Sequence, residues 1–234
     1  MAENQKVKGV ADIVFLVDAT GSMQSCIDGL KNNLNTFIDS LTTPNVNNVL
    51  PVKDWRAKIV GFRDYEEDGA NSWLEDNPFV TDVDQLKSQL SRLVAQGGGD
   101  EPESLLDALF IQASMPQTEK GAPAEPYKWR YRRSATRIII IFSDASYKRS
   151  MAIPAARGGG IDDVRNVVYA NRIFLSIFAP DLSCYDQLSE FDRAEYNPAA
   201  GVGLDELTSN QSAFQDTLRQ LAASVSASSE IEVL

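Results

Sequence analysis

Histidine is absent from all 234 residues of the chain, and cysteine occurs only twice, at Cys26 and Cys184. Without an imidazole there is no serine-histidine or cysteine-histidine catalytic pair, and no histidine-ligated zinc or iron. The two cysteines are far apart and lack CxxC spacing, so neither a disulfide framework nor a zinc ribbon is indicated. Any chemistry must therefore use carboxylates, hydroxyls, amines or a bound ion.

Long apolar runs are also missing, and positive charge is scarce. No stretch approaches the ~20 apolar residues that cross a bilayer. The first residues lack the apolar core of a signal peptide, so we expect a cytoplasmic protein with no membrane partner. The formal net charge of -11 disfavours nucleic acid as a partner and favours a cation.

Apolar runs alternate with amphipathic segments along the chain. Asp12–Val17 and Ile138–Phe142 are almost wholly apolar, as in strands buried on both faces of a parallel sheet. Residues 23–41 carry apolar side chains at helical spacing. Further strands are predicted at 55–62, 72–80 and 173–178. Further helices are predicted after Thr81 as the N-cap, from 100–103 with Pro102 in the first turn, at 161–171 and at about 204–225.

This alternation predicts an α/β fold with a single doubly wound, Rossmann-like domain and a mostly parallel central sheet flanked by helices. With 43% hydrophobic and 24% charged residues, the composition is that of a globular protein. We assign residues 1–234 to one domain, with its core at about 12–225. The proline-rich segment 116–136 is interpreted as a surface insertion.

Basic residues cluster at 128–137, interleaved with Tyr127, Trp129 and Tyr131. This basic segment has two interpretations, which the sequence leaves open. It is either a docking surface for an acidic partner or nucleic acid, or a solvated insertion followed by an ordinary strand.

The loop Asp18-Ala19-Thr20-Gly21-Ser22 is the strongest candidate for chemistry. Ligands of open α/β sheets gather at the carboxyl ends of central strands, so Asp18 and Asp144 are expected to face one ion. The alternate spacing of Asp18, Thr20 and Ser22 lets three oxygens point to one side of the turn. Such hard oxygen ligands select Mg²⁺, Mn²⁺ or Ca²⁺.

Four ordered segments, FLVDATGSM, IVGFRDY, GGGDEPESLLDAL and IIIIFSDAS, resemble those of a von Willebrand factor A domain of the intracellular bacterial type. That family carries a metal-ion-dependent adhesion site. The resemblance implies that Asp18, Thr20 and Ser22 are the ligands of the first loop. It also implies that Asp144 is the later aspartate, which binds the ion directly or through water.

The intermediate loop departs from the family pattern. Many members have a threonine after the glycines, where this chain has Asp100. We predict Asp100 as a further metal ligand, with Glu103 or Ser104 as the fallback. Three carboxylates around the ion would hold a cation more strongly but would be less welcoming to a partner's carboxylate.

Each of these residues also has a purely structural interpretation. Asp18, Thr20 and Ser22 are residue types that cap helices, and Asp100 could be a helix N-cap. Asp144 could be an ordinary turn residue. Asp64 could support the site, but we favour a solvated turn for it.

The resemblance implies a non-enzymatic adaptor that acts beside an AAA+ ATPase, a kinase or a stress or defence complex. One alternative is a structural assembly subunit with a vestigial metal site. Another is a Mg²⁺-dependent phosphatase with Asp18 as nucleophile, since DATGS is similar to the phosphorylation loop of P-type ATPases and haloacid-dehalogenase phosphatases. Those phosphatases have a second aspartate where this chain has Thr20, and residues 160–163 match their acidic turn only superficially.

Overall fold

The computed structural model describes residues 9–42, 52–99, 101–198 and 211–229. Six strands lie in one sheet, in the order β3-β2-β1-β4-β5-β6, and only β3 runs antiparallel to its neighbour. The predicted α/β class with a mostly parallel sheet is therefore confirmed. The strands are β1 (Val10–Asp18), β2 (Asp54–Phe62), β3 (Leu74–Asp76), β4 (Thr136–Phe142), β5 (Ile173–Ala179) and β6 (Ala194–Pro198).

Helices cover both faces of the sheet. Ile13, Phe15 and Val17 of β1 belong to the core on one face, while Val14 and Leu16 belong to the core on the other. A strand buried on both faces must be apolar throughout, which explains its sequence. The helices are α1 (Gln24–Thr42), α2 (Tyr65–Asp68), α3 (Val83–Arg92), α4 (Leu105–Ala113), α5 (Ile161–Ala170), α6 (Ser183–Ser189) and α7 (Gln211–Ser229).

The first face is covered by α1, α3 and α7, and the second by α4, α5 and α6. Such a doubly wound arrangement was predicted from the alternation of strands and helices. The helix predicted at about 204–225 is observed from Gln211 onward, and residues 204–210 lie outside the described residues. None of the helices in the described ranges is long and apolar enough to cross a membrane.

Two helix starts differ from the prediction. The N-cap of α3 is Asp82, whose side chain accepts a hydrogen bond from the Gln85 backbone N–H (2.9 Å), so Thr81 is not the cap. Helix α4 begins only at Leu105, which leaves Pro102 outside its first turn. The reason is that the backbone of Glu103 is paired with the loop after β4 and cannot also be helical.

A buried ion pair joins β1 to β2 at the amino end of the sheet. The Arg56 guanidinium donates from Nε and Nη2 to the two carboxylate oxygens of Asp12, at 2.8 and 2.7 Å, and both side chains are almost fully buried. The same guanidinium donates to the backbone oxygens of Glu125 (2.7 Å) and Lys128 (2.6 Å). This pair therefore also fastens segment 116–136 to the sheet.

Two of the five basic side chains in segment 128–137, those of Arg130 and Arg137, make internal contacts, whereas Arg132 and Arg133 are exposed. Arg130 forms a two-pronged ion pair with Asp54 (2.9 and 2.9 Å), and Arg137 is buried and donates to the Arg130 backbone oxygen at 2.8 Å. The Trp129 ring is completely buried, with the Arg137 guanidinium 5.9 Å from its centroid. These contacts favour a structural role for the segment over a free basic surface.

Candidate metal centre

The strand order changes direction between β1 and β4, which makes the crevice between their carboxyl ends the switch point of the sheet. Val17 of β1 lies directly beside Phe142 of β4. The polar residues that follow each strand therefore emerge side by side. In this way the sheet brings the Asp18 loop and the Ser143-Asp144 turn together, although 125 positions separate Asp18 from Ser143.

Asp18 is completely buried and is held by three hydroxyl and amide groups. Its Oδ1 accepts hydrogen bonds from the Thr20 backbone N–H (2.9 Å) and hydroxyl (2.7 Å). Its Oδ2 accepts from the Ser143 hydroxyl at 2.8 Å. The Ser22 hydroxyl, on the exposed side, lies 3.4 Å from the Thr20 hydroxyl. The three oxygens of the predicted loop thus converge on one side of the turn.

Negative charge accumulates at this point. Burial and, to a lesser extent, the charge of Asp144 raise the pKa of Asp18 to about 6, against the opposing effect of its hydrogen bonds from Thr20 and Ser143. Asp144 itself is half-buried, immediately after Ser143. A cation would offset the desolvation that these carboxylates suffer.

Asp100 lies outside the described residues, so its role as a ligand stays a prediction. Of the two fallback residues, Glu103 approaches the Asp18 loop, whereas the Ser104 hydroxyl is engaged by the turn after β2, with Asp64 Oδ1 at 3.4 Å. Burial and the negative charges of Asp18, Asp64 and Asp68 together raise the pKa of Glu103 to about 8, against the opposing effect of Lys148. The Ser104 hydroxyl instead accepts from the Tyr65 backbone N–H at 3.0 Å.

Asp64 was interpreted as a solvated turn residue, and this is wrong because it is only 1% exposed. It caps α2 by accepting a hydrogen bond from the Glu66 backbone N–H at 2.8 Å. Its carboxylate also forms an ion pair with Lys148, at 2.7 Å, from the loop after β4. Lys148 pairs with the Glu66 carboxylate as well, at 2.7 Å. Asp64 therefore joins two loops of the site.

The glycine loop, residues 97–99, packs closely against Thr20 and Glu103. Gly98 has a φ of +89°, and a Cβ at this position would lie 2.5 Å from Thr20 Cγ2 and 2.8 Å from Glu103 Oε1. Only glycine tolerates both the backbone conformation and the approach. The Asp68 carboxylate accepts a hydrogen bond from the Gly98 backbone N–H at 3.1 Å, which holds the loop in place.

The Arg63 side chain joins two loops beside the site, and its only sequence signal was its place in the IVGFRDY segment. Its buried guanidinium donates to the backbone oxygens of Ala19 (3.1 Å), Gln96 (2.9 Å) and Val94 (2.6 Å). It therefore ties the loop after β1 to the segment after α3. Ser143 was also missed, although its position just before Asp144 in a polar turn was a usable signal.

The donor set fits a hard divalent cation. Within the part of the chain that the structure describes, no three acidic, cysteine or histidine side chains meet closely enough to hold a metal by themselves. The site is instead mixed, with the Asp18 carboxylate beside the hydroxyls of Thr20 and Ser22 and the Glu103 carboxylate approaching the Thr20 side chain at Gly98, and such oxygens suit Mg²⁺, Mn²⁺ or Ca²⁺. No model of a known protein family matches the sequence, and a search of curated proteins finds no match.

Proposed function

We propose that this protein is a non-enzymatic interaction module of the von Willebrand factor A type, which binds one divalent cation at the Asp18 loop. The observation that carries the proposal is the convergence of Asp18, Thr20 and Ser22 at the switch point of the sheet. The doubly wound sheet is compatible with that fold. The four sequence segments that resemble the family provide separate support.

Each residue has a defined part in such a module. Asp18 supplies negative charge, and Thr20 and Ser22 supply neutral oxygens. Ser143 keeps the Asp18 carboxylate oriented through its hydrogen bond, and Asp144 adds charge from the neighbouring turn. The bound ion would supply a positive centre at the surface, to which a partner's oxygen can bind.

The partner would dock on the face built by the loops after β1, β2 and β4. An AAA+ ATPase, a kinase or a stress or defence complex is the partner class that the family resemblance implies. The resemblance alone supports this choice, because no residue of the chain identifies a partner.

The phosphatase alternative gains nothing from the structure. Its acidic turn would fall at residues 160–163, but the Asp163 carboxylate accepts a hydrogen bond from the Gly160 backbone N–H (2.9 Å) and caps α5. Asp162 pairs with Arg165 on the surface of the same helix, at 2.7 Å. The vestigial-site alternative differs from our proposal only in metal affinity, which an experiment decides.

The test is calorimetric titration of chelator-stripped protein with Mg²⁺, Mn²⁺ and Ca²⁺. We expect one ion per chain for the wild type and loss of binding in Asp18→Ala and in the isosteric Asp18→Asn. Asp28→Ala is the matched control, because Asp28 is an exposed acid on α1 that pairs with Gln24 and Lys31 of the same helix, and it should bind as the wild type does. A wild type that binds none of the three ions would refute the module and leave the vestigial-site alternative.

If the ions bind, partner capture from a lysate can be compared with and without chelator. A metal-dependent interface predicts proteins that are retained by the wild type with Mg²⁺ but lost with chelator and in Asp18→Asn. Identical partner sets under all conditions would count against a metal-dependent interface.

A further inference from the structure

The position of Glu103 relative to the metal loop is set by its backbone. Its N–H donates to the Ser146 backbone oxygen at 2.9 Å, and the Lys148 N–H donates to the Glu103 oxygen at 2.8 Å. Both the backbone N–H and the backbone oxygen of Glu103 are thus hydrogen-bonded to the loop after β4. Its side chain is only 4% exposed, so the carboxylate is confined to the interior of the site.

Within the site the carboxylate reaches toward the Asp18 loop. Glu103 Oε1 lies 2.8 Å from the point where a Cβ on Gly98 would stand, and Thr20 Cγ2 lies 2.5 Å from that same point. The absent side chain of Gly98 therefore leaves Glu103 and Thr20 facing each other. This arrangement therefore requires both the positive φ of Gly98 and the absence of a Cβ at that position.

One oxygen of this carboxylate has no hydrogen bond. Glu103 Oε2 is buried and has no donor among the described residues. A buried polar atom without a partner is costly, and a carboxylate is more costly than a neutral group. The neighbouring cation, Lys148, is instead paired with Asp64 and Glu66. A cation at the Asp18 loop would supply the missing partner.

We propose that Glu103 is itself a ligand of the divalent ion, so that Asp18 and Glu103 together balance both of its charges and the partner completes the shell with an uncharged oxygen. This inference rests on the proposed metal site. A third carboxylate, from a partner, would give the centre a net negative charge. The negative charges of Asp144 and Asp64 would repel that carboxylate. A backbone carbonyl or a hydroxyl meets no such repulsion. The partner would therefore present a neutral oxygen at the ion.

The test uses Mn²⁺ as the metal probe and acetate as the carboxylate probe. Chelator-stripped wild type, Glu103→Gln and Glu103→Asp are titrated with Mn²⁺ by calorimetry. Glu119→Gln is the control, because Glu119 is exposed and lies in segment 116–136, which is fastened at the amino end of the sheet. We expect Mn²⁺ affinity to fall about tenfold or more in Glu103→Gln, because ligand charge tunes affinity in oxygen sites. Glu103→Asp keeps the charge but withdraws the carboxylate by one methylene, so ligation predicts a fall there too, whereas a purely long-range charge effect predicts none.

Acetate is then added to each Mn²⁺-loaded protein while the relaxation of water protons is measured. In the wild type we expect acetate to leave the Mn²⁺-bound water in place, and in Glu103→Gln we expect it to displace that water and lower the relaxation rate. Circular dichroism of each variant confirms the fold before titration.

The outcomes separate the two proposals. Unchanged Mn²⁺ affinity in Glu103→Gln, with binding abolished in Asp18→Asn, would overturn the role of Glu103 and leave the metal module standing. Weaker Mn²⁺ binding with the same acetate response as the wild type would overturn the assignment of a neutral partner group. Absence of Mn²⁺ binding by the wild type would refute the metal site and this inference together.

Discussion

The buried carboxylate of Glu103 should make the metal-free protein less stable as the pH rises, and Glu103→Gln should remove that loss. Burial and the charges of Asp18 and Asp64 raise its pKa from the ordinary 4.5 to about 8. An acid with a raised pKa in the folded state costs nothing below about pH 4.5, where it is protonated in both states. The cost grows through the interval between the two values and is constant above about pH 8.

The size of the effect follows from that interval. Each pH unit between the two pKa values is worth about 1.4 kcal/mol, so the upper limit above pH 8 is about 5 kcal/mol. An amide at position 103 has its own cost of about 1–3 kcal/mol if its groups lack partners. This cost is the same at every pH, so the difference between pH 9 and pH 4.5 isolates the contribution of the charge.

Urea unfolding in the presence of chelator measures the free energy of unfolding at pH 4.5, 7 and 9. Between pH 4.5 and pH 9, we expect the free energy of unfolding of Glu103→Gln to rise by about 2–5 kcal/mol relative to that of the wild type. The exposed control Glu119→Gln should stay within about 0.5 kcal/mol at all three. If the difference in free energy of unfolding between Glu103→Gln and the wild type does not change with pH, the reasoning is refuted, because the charged carboxylate must then be well solvated.

Two further changes test the supports of the fold and of the site, both by urea unfolding with chelator. Gly98→Ala should lower the free energy of unfolding by about 3 kcal/mol, because of the positive φ and a steric overlap. Gly121→Ala, with a φ of +79° and open space around it, should lower it by only about 1 kcal/mol. Equal losses would refute the close approach at Gly98. Arg56→Met should lower the free energy of unfolding by about 3 kcal/mol, because it removes the two-pronged partner of the buried Asp12 carboxylate; a loss under 1 kcal/mol would show that this pair is not needed.

The central strands could be predicted because burial on both faces makes a parallel strand apolar along its length. Strand β6 was missed because it lies at the edge of the sheet, is partly exposed, and ends in a proline. The start of α3 was misplaced because Thr81 and Asp82 are both good capping residues, and only the backbone conformation decides between them. Local spacing thus predicted elements better than it predicted their ends.

The site divides in the same way. Asp18, Thr20 and Ser22 lie within five residues, so their convergence follows from one turn and could be read from the sequence. The contact between Ser143 and Asp18 depends on which strands are neighbours, which is a property of the whole sheet. The buried Asp64 carboxylate is likewise paired with Lys148, which lies 84 positions later in the sequence. Such long-range contacts leave no periodic pattern in a single sequence.

The long-range contacts also determine what a bound ion can change. Arg63 ties the loop after β1 to the segment after α3, Asp68 holds the glycine loop, and Lys148 joins the loops after β2 and β4. None of these contacts involves a residue that is proposed as a metal ligand, so in the proposed module they would be in place before a cation binds. In the proposed module the ion therefore changes the charge of the surface more than its shape. Its stabilisation would be the ordinary linkage amount, about 2.7 kcal/mol at a concentration one hundred times the dissociation constant. A partner that distinguishes the two states would then do so chiefly through the charge around Asp18 and Glu103.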